Sequence, residues 1–102
     1  MIIVRGVNVY PQEVESALVV HPAVAEVAAV GIPDASGDES VRAFVVLEPG
    51  QSIKPRELIG FVRPSLASYK MPKDVVIVDE LPKNALGKVL KRELREGAAK
   101  GA

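Results

Sequence analysis

Apolar residues recur in short blocks separated by proline, glycine and acidic turns, and the spacing inside each block predicts its element. Ile2, Ile3 and Val4 read as a short β-strand, broken at Arg5-Gly6-Val7-Asn8, where Gly6 is free to take a positive φ or to admit a close neighbour. Pro11 suits the first turn of a helix, Glu13 and Glu15 sit near its positive end, and Val14, Ala17 and Leu18 share one face. His21-Pro22 ends that helix. Residues 24–32, rich in Val and Ala, read as a strand. Pro33-Asp34-Ala35-Ser36-Gly37-Asp38 is a turn cluster, and residues 41–47 form the clearest strand of the chain, apolar enough to be central. The short polar connection between these runs makes an antiparallel hairpin the natural pairing.

After the turn Glu48-Pro49-Gly50, residues 55–66 read as a second helix with Leu58, Phe61 and Val62 on one face, weakened by Gly60 and Pro64. Lys54 is a poor N-cap for it. Residues 75–78 read as a strand and 88–96 as a last helix carrying Val89, Leu90 and Leu94, followed by a frayed tail over 97–102. The order βαββαβα predicts one α+β domain over residues 1–102. Helices pack on one side of a central antiparallel sheet of about three strands, and the leading strand pairs outside it.

Composition narrows the function classes. Hydrophobic residues make up 48% of the 102 positions but aromatics only 4%, so the core is aliphatic. A formal net charge of zero argues against general binding to nucleic acid or to a membrane surface. No apolar run approaches a membrane span, and Met1-Ile2-Ile3-Val4 is too short for a secretory leader. With no cysteine there is no disulfide framework and no thiol nucleophile, which suits a reducing, cytoplasmic location. Neither a nucleophilic triad nor a metal-ligand spacing is present, so no metal site is expected. Glu13 and Glu15, two apart, do not face each other on a helix, and the lone His21 reads as a helix-end residue and not as a base or ligand.

The richest chemistry lies in residues 81–94, Leu-Pro-Lys-Asn-Ala-Leu-Gly-Lys-Val-Leu-Lys-Arg-Glu-Leu. Pro82 and Gly87 punctuate this stretch, so Lys88 falls after a glycine turn at the mouth of a short amphipathic helix. A lysine there is a mobile point charge suited to neutralising phosphate or carboxylate oxygens. On the residues alone, Lys83, Lys88, Lys91 and Arg92 read first as a solvated basic face, the ordinary fate of surface charge.

The pattern of a proline-lysine pair, Gly-Lys and an apolar-apolar-basic-basic-x-Leu helix resembles the C-terminal lysine motif of the adenylate-forming enzymes: acyl-CoA synthetases, aryl-CoA ligases, beetle luciferases and peptide-synthetase adenylation domains. Three further segments match in order. Arg5-Gly6-Val7-Asn8-Val9-Tyr10-Pro11 with Glu13-Val14-Glu15 resembles the family's glycine loop and following helix. Gly31-Ile32-Pro33-Asp34, Glu39 and Ala43-Phe44-Val45-Val46 resemble its central hairpin, and Tyr69-Lys70-Met71-Pro72 the step before the third strand.

The resemblance implies two half-reactions. A carboxylate attacks the α-phosphate of ATP, releasing pyrophosphate, and a thiol then attacks the acyl-adenylate. Between them the small domain swings about a hinge. Lys88 is implied to be the adenylation lysine, and Arg5, Gly6, Val7 and Asn8 a loop lining the CoA (pantetheine) tunnel, where glycine removes a blocking side chain. Asn8 would approach the nucleotide or the loop's own backbone, and Arg5 stands where many relatives carry a second glycine. Some branches use a lysine at the position of Ile3, a role closed to this chain. Tyr69, Lys70 and Glu39 are implied contacts to CoA or to the large domain. The partners implied are an N-terminal adenylation domain, a carboxylic acid, ATP and CoA, with Mg2+ bound mainly by that absent domain.

Nothing in the chain resembles the family's phosphate loop or acyl pocket, so the expectation is a C-terminal domain beginning at the hinge, inactive alone. The parent would be an acid-thiol ligase. The Ser36-Gly37-Asp38-Glu39 turn and the short tail after Arg95 favour a fatty-acid CoA ligase over an aryl-CoA ligase or an adenylation domain loading a carrier protein. The alternative of another class is a free-standing α+β interaction module.

Overall fold

Two long strands carry the fold. β3 (Val24–Pro33) pairs antiparallel with β4 (Glu39–Leu47), from Val24↔Leu47 to Pro33↔Glu39, with an irregularity between Val24 and Glu26. This computed structural model describes residues 1–101, with side chains through Glu96. The other elements are β1 (Ile2–Val4), β2 (Val7–Val9), α1 (Pro11–Val19), α2 (Pro55–Val62), a 3-10 turn (Ser68–Lys70), β5 (Asp74–Ile77) and α3 (Lys91–Gly101).

The α+β class and the three-stranded sheet hold, with two corrections. First, β5 joins β4 in parallel, Arg42↔Asp74 through Val45↔Ile77, so the sheet β3-β4-β5 is mixed and not wholly antiparallel. α2 lies between those strands in sequence, and a parallel pair needs such a crossover. Second, helices cover both faces. Ala29, Val41, Ala43 and Val45 pack against Val14 and Leu18 of α1 and Leu58 and Val62 of α2. Ala28, Val30 and Phe44 point the other way, onto Leu81 and Leu94 of α3. Strands covered on both faces read as continuous apolar runs, which is why periodicity alone found the strands but not the second layer.

β1 and β2 form a separate two-stranded ribbon, which leaves β1 outside the main sheet as expected, while β2 begins at Val7, where the sequence predicts only a break. α2 stops at Val62, earlier than expected, since Pro64 can neither donate to nor fit a continuing helix. At its start the Glu57 carboxylate reaches back to the Lys54 N–H (3.4 Å). A lysine side chain offers no acceptor in return, so only half of a capping box forms. His21 serves the chain turn after α1. Its Nδ1 accepts the Ala23 N–H (3.0 Å), and its ring meets Phe61 edge-on at 4.7 Å. α3 begins at Lys91, after Lys88, and runs to Gly101. The frayed tail expected over 97–102 falls outside the residues whose side chains are described.

Leu58 is fully buried between α2 and the sheet. Leu58→Ala should lower unfolding free energy by about 2–5 kcal/mol in urea titrations, whereas Val20→Ala, at a site 69% exposed, should change it by less than about 0.5 kcal/mol.

Candidate functional site

The segment around Lys88 is a miniature hairpin. Lys83 and Val89 form an antiparallel bridge, the Asn84 N–H donates to the Lys88 carbonyl (2.9 Å), and the Leu90 N–H donates to the Pro82 carbonyl (2.8 Å). Asn84 organises the bend: its Oδ1 accepts the N–H groups of Leu86 (2.9 Å) and Lys88 (3.0 Å). Gly87, with φ of 84°, closes the turn onto the Asn84 carbonyl (3.0 Å). Leu81 anchors the base in the cluster beneath α3, while Leu86 and Lys88 are exposed at the far end. The expected placement at the mouth of the helix is therefore corrected. Lys88 lies on the returning arm of this hairpin, fixed by backbone bonds that hydrophobic periodicity does not report.

Charge pairing separates Lys88 from its basic neighbours. Lys83 pairs with Glu26 on β3. Lys91 pairs with Glu15 on α1 (2.8 Å), and Arg92 with Glu96 one turn along α3 (3.1 Å). Glu15 Oε2 also accepts the Ala29 N–H (2.9 Å) from the open edge of β3. Among the described residues, Lys88 has no carboxylate partner. A plain solvated basic face does not account for three paired cations around one that is unpaired.

The second cluster lies around the β1–β2 turn. Arg5 and Gly6 are the two central residues, with φ of 51° and 77°. Positive φ at both marks the type I′ turn that joins two-stranded ribbons. Gly6 meets nothing within 4 Å of where a Cβ would stand, so its backbone conformation and not internal packing calls for glycine. The Arg5 N–H donates to both oxygens of Asp38 (2.8 Å each), and the Ile3 N–H donates to Glu39 Oε1 (2.9 Å). Glu39 crosses Gly31 to get there; a Cβ at Gly31 would lie 2.7 Å from Glu39 Oε2.

Arg5, Asp38, Glu39, Tyr69 and Lys73 line one groove of about 470 Å³. The structure thus gathers three expected contacts, Arg5, Glu39 and Tyr69, from separate motifs. Lys70 departs from that group. It pairs with Glu13 on α1 (2.7 Å), and the Glu13 carboxylate raises it above the ordinary lysine pKa. Gly6, Val7 and Asn8 are exposed, and among the described residues the Asn8 side chain has no hydrogen-bond partner. Asp38 is legible in the sequence only as a turn residue, and nothing there signals its contact with Arg5. The two residues Arg5 and Gly6 between Val4 and Val7, with Ile2 and Val9 further out, are the available hairpin signal. Among the described residues no cluster of three or more His, Asp or Glu side chains could hold a metal ion. Among them, too, no helix is long and apolar enough to cross a membrane.

Residues 13–88 match the AMP-binding enzyme C-terminal domain family. The chain belongs to that family. It is 50% identical to a long-chain-fatty-acid–CoA ligase of Escherichia coli, over 96% of this chain and 17% of that protein. It is also 50% identical to a fatty acid–[acyl-carrier-protein] ligase of Streptomyces coeruleorubidus, over 93% of this chain and 18% of that one. The ATP-bound structure of MatB from Rhodopseudomonas palustris superposes with a TM-score of 0.89 at 43% identity, over 94% of this chain and 19% of that one. The chain spans about a sixth of the length of the curated relatives it matches.

Removing the bend's organiser should be measurable. Asn84→Ala leaves two amides without their acceptor and should raise hydrogen exchange at Leu86 and Lys88 at a cost of about 1 kcal/mol, with the core amides unchanged. A second test concerns Asp34, whose carboxylate is held below the ordinary aspartate pKa first of all by the Ser36 hydroxyl (2.6 Å). Its contribution to the β3–β4 turn is full above the ordinary aspartate value and is lost as pH falls through the depressed one. NMR titration should find that low midpoint, and Ser36→Ala should move it upward.

Proposed function

We propose that this chain is the C-terminal lid domain of an ATP-dependent acyl-CoA synthetase, which converts a carboxylic acid, ATP and CoA to acyl-CoA, AMP and pyrophosphate. Fatty acids are the favoured carboxylates, as the fatty-acid ligases among its relatives suggest. The observation that carries this reading is Lys88, which among the described residues has no carboxylate partner, on a braced hairpin flanked by the paired Lys83, Lys91 and Arg92. When the acyl carboxylate attacks the α-phosphate, negative charge gathers on the phosphoryl oxygens. An ammonium group aimed there lowers the barrier electrostatically, without proton transfer. Mg2+ would accompany ATP and be held by the remainder of the ligase. The absence of cysteine accords with a cytoplasmic location.

Geometry supports a two-position lid. Lys83 ties the lysine hairpin to Glu26 near the start of β3, whereas Asp38 ties the Arg5 turn to the far end of the β3–β4 hairpin. The seven residue steps from Glu26 to Pro33 span roughly 23 Å at strand rise. Two loops so far apart do not share one reaction centre in a single pose, and a swing of the lid that presents them in turn resolves this. In the second pose the exposed turn at Gly6, with open space where a side chain would project, borders the thiol's path. The fatty acid–[acyl-carrier-protein] ligase among the relatives favours one second reading, in which the thiol arrives on a carrier protein and not as free CoA.

In a ligase carrying this domain, Lys88→Ala should slow acyl-adenylate formation by about 10²–10³-fold while leaving thioester formation from supplied acyl-adenylate largely intact. Separate assays of the half-reactions decide it, and equal losses in both would refute the role. The 102-residue chain alone should form no acyl-adenylate.

A further inference from the structure

Arg5 occupies a backbone conformation that non-glycine residues adopt uncommonly and at some cost. Its φ of 51° lies in the left-handed region, where Gly, Asn and Asp are the usual occupants of this turn. Its N–H lies on the edge of β1 away from β2, with no strand to receive it. The restraint comes from Asp38, both of whose oxygens lie 2.8 Å from that nitrogen. Asp38 is itself held in place. Asp34 Oδ1 accepts the N–H groups of Ser36 (2.9 Å) and Asp38 (3.1 Å), and the Asp34 N–H donates to the Asp38 carbonyl (2.8 Å). Glu39, next in sequence, takes the Ile3 N–H two residues back along the same edge. Successive carboxylates thus hold alternate amides: Glu39 docks the strand, and Asp38 sets the turn.

We infer that Asp38 is a positioning residue for thioester formation, acting through Arg5 by fixing the turn that borders the thiol's path. The inference rests on the ligase function proposed above and adds a residue to its second half-reaction. Asp38 touches no reacting atom; it selects one turn conformation, so its loss lowers the fraction of lids with a competent loop. The Lys83–Glu26 pair ties the lysine hairpin near the start of β3, away from Asp38, so adenylate formation is expected to be spared.

The test uses a ligase carrying this domain, with both half-reactions assayed. Asp38→Ala should slow thioester formation from supplied acyl-adenylate by about tenfold, as expected when a strained turn loses its restraint, with adenylate formation unchanged. Asp38→Asn, which keeps one acceptor oxygen, should fall between. Adding Arg5→Gly to Asp38→Ala should restore the rate, because glycine needs no restraint at positive φ, and a merely structural Asp38 would show no such rescue. Slowing of both half-reactions alike, no slowing of thioester formation, or no recovery with Arg5→Gly would each overturn the inference. Hydrogen exchange on the 102-residue chain reads the link without catalysis: Asp38→Ala should raise exchange at the Arg5 amide about tenfold while Ile3 and the core amide Val45 keep their protection. A parent that forms no thioester at all would overturn both the ligase function and this inference. The Arg5-specific exchange would survive that result, so the two failures are told apart.

Discussion

β4 is paired on both edges and covered on both faces, and this double enclosure fixes where everything else can go. Val41, Ala43 and Val45 serve one apolar layer while Phe44 serves the other. Shifting the strand by one residue would exchange the two sets, so the register is set by both layers at once. β3 has β4 on one edge only. Its other edge is served by side chains, with Glu15 taking the Ala29 amide. Carboxylates recur at such joints: Glu26 to Lys83, Glu15 to Lys91, Glu13 to Lys70, and Asp38 and Glu39 to the β1 edge. They attach peripheral segments to a rigid centre at a few points, which leaves the loop tips exposed.

That division between a rigid centre and tethered loops suits a lid with two working faces. The hydrophobic layers set the orientation of the β3–β4 hairpin, and its length sets the separation of the lysine loop from the glycine turn. Under the proposed two-position function neither loop needs internal mobility, because moving the whole body suffices.

Much of this was legible in the sequence. Pro11, the apolar spacing of α1 and the turn cluster at residues 33–38 located α1 and the β3–β4 hairpin, and Gly87 marked the bend before Lys88. What escaped were features without a local signature. β2 hid because Arg-Gly is an uncommon pair for its turn, stabilised from Asp38 far along the chain. The parallel placement of β5 and the layer beneath α3 depend on which face of a doubly covered strand each neighbour takes. The family motif pointed to Lys88 as the functional lysine, but only the pairing of Lys83, Lys91 and Arg92 with acids in space showed how it differs from them.

The matched neighbours of Lys88 have an electrostatic consequence. Lys83, Lys91 and Arg92 each carry a counter-charge, so the lysine hairpin presents one uncompensated positive point, felt within a Debye length of about 8 Å. A polybasic patch would attract any polyanion and weaken steeply as salt rises. One uncompensated charge gives a weak field and a shallow salt dependence, and it discriminates by contact and not by long-range pull.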